Sequence, residues 1–265
     1  HTFRTEMYPE YKGTRDKTPE ELLSQIPLLK EMAEAQGIAF LEKDNYEADD
    51  IIGTLATQAA AAGYDARVVT GDRDALQLIR PNLKVLITKK GISDIKIYDE
   101  DAFKEEYGFE PIKLIDLKGL MGDTSDNIPG VKGVGEKGAM KVLTRFQNLE
   151  KIFENIDNLD TRIKNKFLDA GLENTVRTRD NLIKFRYDVF ENENILDECL
   201  NFKPDYENAL KLAERLALTR VINHIKKVSG IESDYKIEIS EKKIKSEIEN
   251  ENFEPVPPVC DVVTL

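Results

Sequence analysis

Seven acidic side chains in three short clusters are the residues of this sequence best suited to chemistry: Glu47, Asp49 and Asp50, then Asp72 and Asp74, then Asp123 and Asp126. Carboxylate oxygens suit hard divalent cations such as Mg2+ or Mn2+. Two such ions, about 4 Å apart, can activate water and stabilise the leaving oxygen of a phosphodiester. Zinc is a poor match, because the only histidines are His1 and His224 and the two cysteines, Cys199 and Cys260, lie far apart. Each cluster also has a plainer reading. Acids at a helix start favour its dipole, Asp72 and Asp74 suit a turn, and Asp123 and Asp126 suit a cap.

Directly after the third cluster comes a basic, glycine-rich stretch. Gly130, Gly133 and Gly135 lead into the helical pattern Ala139, Val142, Leu143, Phe146, with Lys132, Lys137, Lys141 and Arg145 around the turn. Backbone N–H groups at such a helix start are free to hold a phosphate. Two glycines around one apolar residue, flanked by lysines, fit the helix-hairpin-helix grip on a DNA backbone, with Lys132, Gly133, Gly135, Lys137 and Lys141 as contacts that do not read sequence. A plain helix connection with glycine caps is the alternative. Near the start, Tyr8, Tyr11, Lys12, Arg15 and Lys17 read either as a solvated loop or as a cationic, aromatic segment over the site. In the second case the segment is able to orient the scissile phosphate and to stack an unpaired base.

The elements that must position these groups are read from pattern. Residues 1–19 form a loop or short irregular helix, and Thr18-Pro19-Glu20-Glu21 opens a helix with a stripe at Leu22, Ile26, Leu29 and Met32 that ends near Gly37. Ile38 to Leu41 is a short strand candidate, and Tyr46 to Asp50 opens a helix that Gly63 terminates. Asp65 to Thr70 reads as a buried strand with Asp72 and Asp74 beyond its carboxyl end, where sites gather in α/β folds. Val85 to Thr88 and Ile95 to Tyr98 resemble a hairpin with the basic tip Lys89-Lys90-Gly91. Helices follow at Asp99–Tyr107, 112–120, 149–156, Thr161–Ala170, 174–185, 209–216 and 221–228. The expected organisation is an α/β core over 1–120, a helical DNA-binding region over 121–230, and an acidic, Pro-containing linker over 231–265.

Composition bounds the rest. The chain has 265 residues, 40% hydrophobic and 33% charged, and carries a net charge of −12. Such a charge argues against a generic polyanion binder, but nine acids against four lysines from residue 231 onward leave a milder −7 for the body. No apolar run approaches the roughly 20 residues of a membrane helix. A cytoplasmic location and no membrane partner are expected.

With these residues in hand, the sequence resembles the 5′ nuclease (5′-3′ exonuclease) domain of bacterial DNA polymerase I, within the flap endonuclease family. The resemblance covers Phe3 to about Ser229. It rests on Phe3-Arg4, Tyr11-Lys12-Gly13-Thr14-Arg15, Tyr46-Glu47-Ala48-Asp49-Asp50, Thr70-Gly71-Asp72-Arg73-Asp74 and the run from Gly122 to Lys137, in that order and spacing. It implies a PIN-like or flap-endonuclease-like fold, with a partly parallel sheet flanked by helices and a helical helix-hairpin-helix region. It also implies two Mg2+ or Mn2+ ions on the three acidic blocks, a duplex-gripping hairpin aided by a monovalent cation such as K+, and Lys12 and Arg15 at the base of a helical arch touching the scissile phosphate. The implied partners are DNA with 5′ flaps or nicks and RNA primers, with the chain a monomer and polymerase domains downstream of the acidic tail. Family members also open with a strand carrying Asp followed by Gly-Asn, and a later strand ends in another metal-binding Asp just before the block matching Phe3-Arg4. Neither is in this sequence, so the resemblance implies an N-terminally truncated domain with weakened metal binding. The rival readings are a duplex-binding module that does not cleave and a stand-alone 5′ nuclease.

Overall fold

Val68, Val69 and Thr70 are β-branched and fit a pleated, half-buried surface, and Ala66–Thr70 is strand β1 of the computed structural model, which describes residues 1–90, 94–190, 195–201, 203–231 and 262–263. Strand β2, Leu83–Lys90, lies parallel to β1, pairing Val68 with Val85. Strand β3, Asp94–Tyr98, returns antiparallel along β2 with Leu86 opposite Ile97. A two-residue strand β4, Val262–Val263, runs parallel along the other side of β1, so the order is β3-β2-β1-β4. The expected hairpin and partly parallel sheet are both present. Apart from β4 and Ile231, the segment expected to be a linker lies outside the described residues, as does the hairpin tip at 91–93.

The connection from β1 to β2 holds a 3-10 helix, Arg73–Leu78, whose N-cap is Asp72. Below the sheet packs the helix Ala48–Ala61. It opens in a capping box in which the backbone N–H of Glu47 donates to Asp50, and it closes at Gly63 with φ +90°. Ile52, Ala56 and Ala60 from this helix share one core with Val68, Leu76, Leu83 and Val85 of the sheet layer. The same core continues through Leu117 and Leu120 to Val142, Leu143 and Phe167. Packing therefore runs unbroken across residue 120, where the sequence pattern changes from α/β to helical.

The described residues fall into two units: 1–17 with 41–196 and 262–263, and 18–40 with 197–231. In the second, helices Ile26–Ala35, Tyr206–Arg215 and Thr219–Ser229 join through Met32, Ala35, Ala209, Leu212, Ile222 and Ile225. Two local expectations fail there. The helix expected from Glu20 to Gly37 is broken into Glu20–Leu23 and Ile26–Ala35, because Pro27 is tolerated only in a first turn; of its apolar stripe only Met32 is buried, Leu22 being 53% exposed. Ile38 to Leu41 is not a strand. A further helix, Ile195–Leu200, has no signal in the sequence reading. In the first unit, the helix expected over 174–185 is split into Leu172–Thr178 and a single π-helical turn, Arg179–Ile183.

One backbone crossing shapes the third acidic cluster. Helix Leu114–Met121 ends at Gly122, φ +75°, and the chain loops back so that Asp123 and Ile128 exchange backbone hydrogen bonds of 2.9 and 2.7 Å. Val131 then donates to the carbonyl of Leu120 at 2.8 Å. A Cβ on Gly130 would lie 2.2 Å from the Gly122 nitrogen, and one on Gly122 2.5 Å from that of Gly130. Neither position admits a side chain. Gly130→Ala is therefore expected to destabilise the chain by about 1–3 kcal/mol, the scale of overpacking, read as a lower urea midpoint; an unchanged midpoint would show that the crossing relaxes freely.

Candidate metal and phosphodiester site

The three acidic clusters converge. Glu47, Asp49, Asp74, Asp123 and Asp126 line one cleft together with Arg4, Tyr11 and Lys118, and the space left between these side chains is about 10 Å3. That is room for about one water. Glu47 and Asp49 come from the start of the Ala48–Ala61 helix, Asp74 from the 3-10 turn beyond β1, and Asp123 and Asp126 from the loop pinned by Gly122 and Gly130. The Asp123 carboxylate accepts from the backbone N–H and the hydroxyl of Ser125 at 2.8 and 2.6 Å, which fixes the loop from within.

Two acids of the expected set do not line the cleft. Asp50 is 0% exposed and is engaged by Arg4 at 2.6 and 2.8 Å and by the backbone N–H of Arg186 at 2.8 Å. Its role here is to organise the helix start, not to face an ion. Asp72 is exposed and caps the 3-10 helix by accepting from the N–H of Asp74. Its charge nevertheless acts on Asp49.

Basic side chains compensate most of the cleft. Lys12 reaches Glu47 at 2.6 Å, Arg15 reaches Asp126 at 2.5 Å, Arg4 lies 3.3 Å from Glu47, and Lys118 pairs with both Asp74 and Asp123, the latter at 2.7 Å. Burial disfavours the Lys118 ammonium, but the two aspartates outweigh it and raise its pKa. Burial likewise works against ionised Asp123, yet the hydrogen bonds from Lys118 and Ser125 bring it down to about 2. Tyr11 differs from expectation. It is 4% exposed, so no base can stack on it; its hydroxyl donates to Glu47 at 2.9 Å and lies 3.2 Å from Asp126.

As the side chains stand, no group of three or more His, Cys, Asp or Glu among the described residues is arranged to hold a metal. The physical reason is the set of ammonium and guanidinium groups drawn in between the acids. Asp49 is the exception, for no basic side chain among the described residues pairs with it. Burial, then the neighbouring charge of Asp72, pushes it up to about 7. An all-oxygen donor set with one part-buried carboxylate outside any ion pair fits a hard divalent cation.

The glycine-rich stretch is a turn into the helix Glu136–Phe146, with Gly135 as N-cap. Gly133 to Gly138, with Ile163 and Lys166, line a second pocket of about 510 Å3, and Lys166 donates to the Gly133 carbonyl at 2.5 Å. Lys132, Lys137 and Lys141 are all exposed.

Known proteins agree with this geometry. Residues 1–108 match the family model of the 5'-3' exonuclease N-terminal resolvase-like domain, and residues 109–207 that of the 5'-3' exonuclease C-terminal SAM fold. The chain belongs to the 5′-3′ exonuclease family. DNA polymerase I of Bacillus caldotenax is 53% identical over 158 residues, 60% of this chain and 18% of that protein. That of Streptococcus pneumoniae R6 is 40% identical over 225 residues, 83% of this chain and 25% of that protein. The chain thus matches only a quarter or less of the length of these relatives. Among solved structures, the T5 D15 protein co-crystallised with metal ions aligns with a TM-score of 0.55 at 23% identity, covering 86% of this chain and 80% of that one. A D15 flap endonuclease complex with DNA and metal ions aligns at 0.53 and 22%, with the same coverage. At these identities the likeness establishes the fold, a mixed sheet flanked by helices with a helical C-terminal region.

Lys118 has no signal in the sequence reading, because a lysine five residues before Asp123 announces nothing until the helix turns it toward Asp74. Arg4 was visible only as part of a matching block. The titration of Asp49 gives a prediction. Its folded pKa, about 7, lies above its ordinary 3.8, so the folded state binds the extra proton and the stability this contributes is lost as pH rises from about 4 to 7. In EDTA the melting temperature should fall between pH 5 and pH 8, and fall less in Asp49→Asn; equal slopes would contradict the assignment.

Proposed function

We propose that this chain is the 5′ nuclease portion of a bacterial DNA polymerase I, hydrolysing DNA phosphodiesters where a 5′ single strand or RNA primer meets a duplex. The observation that carries the reading is the meeting of Glu47, Asp49, Asp74, Asp123 and Asp126 in one cleft bordered by Lys12 and Arg15. Mg2+ or Mn2+ ions held by these acids, with Asp72 beside them, would supply an activated water and a Lewis acid for the leaving oxygen. Lys12 and Arg15 pair with Glu47 and Asp126 in the metal-free chain. With those carboxylates engaged by cations, both basic groups would be free to contact the scissile phosphate. Tyr11, buried beneath, holds Glu47 and Asp126 in register throughout.

Away from the cleft, exposed Lys132, Lys137 and Lys141 with the amides of Gly133 and Gly135 grip the duplex backbone, and carbonyls of that turn suit K+. Among the described residues no helix is long and apolar enough to cross a membrane. A cytoplasmic, monomeric nuclease followed by polymerase domains is the form proposed, since the DNA polymerase I relatives are at least four times longer than the matched part. A second reading, a duplex binder that does not cleave, is favoured by the basic groups now occupying the acids.

Cleavage separates the two. The chain should cut a 5′-flap substrate in Mg2+ or Mn2+ and not in EDTA, and Asp74→Asn or Asp123→Asn should lower the rate on the order of 100-fold, the scale of losing one preorganised electrostatic contact. Duplex binding without any metal-dependent cleavage would favour the binder. Binding should weaken with salt regardless of sequence, and Lys137→Glu should reduce the slope of log affinity against log salt by about one. An unchanged slope would remove the hairpin from the interface.

A further inference from the structure

Lys118 stands apart from the other cations of the cleft. Lys12 and Arg15 are 25% and 53% exposed and border it, whereas the Lys118 side chain is 18% exposed and lies between two acids that are themselves 20% and 13% exposed. Those acids come from different elements, Asp74 from the 3-10 turn beyond β1 and Asp123 from the loop after helix Leu114–Met121. One ammonium is shared by both. The free space beside it, about 10 Å3, holds about one water and no hydrated ion.

We propose that Lys118 is a built-in counter-ion of the acidic cluster: its ammonium lies between Asp74 and Asp123, holds the two carboxylates together in the metal-free chain, and would compete with a divalent cation held by the same acids. This rests on the reading of the cleft as a metal site. Two part-buried carboxylates facing one another repel unless a positive charge lies between them. In the metal-free chain the lysine provides that charge. A cation held by these two carboxylates would have to displace it, so Lys118 would keep the cluster assembled at the expense of affinity. It is a positioning residue, acting through Asp74 and Asp123.

The test compares the chain with Lys118→Met, which keeps an aliphatic stem without charge, and Lys118→Arg, which keeps the charge. Mn2+ binding is counted by the EPR signal of the free ion, and melting is followed in EDTA and in saturating Mn2+. Lys118→Met should bind Mn2+ about tenfold more tightly, which corresponds to about 1.4 kcal/mol. It should melt several degrees lower in EDTA and recover most of that loss in Mn2+; Lys118→Arg should not gain affinity. If the methionine variant does not fold, Lys118→Gln takes its place with the same expectation. Mn2+ affinity unchanged or weakened in the neutral variant, or an equal loss of melting temperature with and without Mn2+, would overturn the proposal and leave Lys118 a structural ion pair. Failure of every chain, including the parent, to bind Mn2+ would instead overturn the metal reading itself, and this proposal with it.

Discussion

Charge compensation in a crowded acidic cleft is the constraint on which the rest of this structure depends. Five carboxylates from three segments face one small space. Desolvated carboxylates tolerate such proximity only if they are protonated or paired with cations. The chain does both. Lys12, Arg15, Arg4 and Lys118 supply positive charge, and Asp49, with which none of them forms an ion pair, is pushed up to about 7. A nuclease dependent on divalent ions needs such a surplus of negative charge, and a metal-free protein needs a way to survive it.

The most buried compensating cation is Arg4, in the wall of the cleft. Arg4 is 1% exposed and donates to Asp50, to Glu47 and to the carbonyls of Leu182 and Lys184, at 3.1 and 3.2 Å for the carbonyls. It ties the first helix, Phe3–Met7, to the helix Ala48–Ala61 and to the π-helical turn Arg179–Ile183. Removing one partner of such a buried pair leaves an uncompensated charge and typically costs about 3–5 kcal/mol. Asp50, although it neighbours Asp49 in sequence, is spent on this internal tie. Helix geometry explains the division of labour, because successive residues of a helix point about 100° apart and only one of them can face the cleft.

Backbone chemistry completes the site. The close crossing at Gly122 and Gly130 folds Asp123 and Asp126 into a loop held by its own hydrogen bonds, and the same glycine-rich run then turns into the helix Glu136–Phe146 with its lysines outward. The carboxylate loop and the glycine-rich turn are thus consecutive parts of one stretch of chain.

The sequence by itself determined what depends on nearest neighbours: β1 from its β-branched run, the helix at Ala48–Ala61 from its cap and Gly63, the β2–β3 hairpin, and the acidic and glycine-rich blocks that mark the family. Their order along the chain was enough to expect a shared site. Only the tertiary structure decided which acids face the cleft, that Tyr11 is buried under it, and that Lys118 lies between Asp74 and Asp123. It also decided that residues 18–40 pack with 197–231 and that one core crosses residue 120. The reason is physical. Hydrophobic period and turn chemistry act over a few residues, whereas an ion pair between positions 74 and 118 or a backbone crossing between 122 and 130 exists only once separate segments have been brought together.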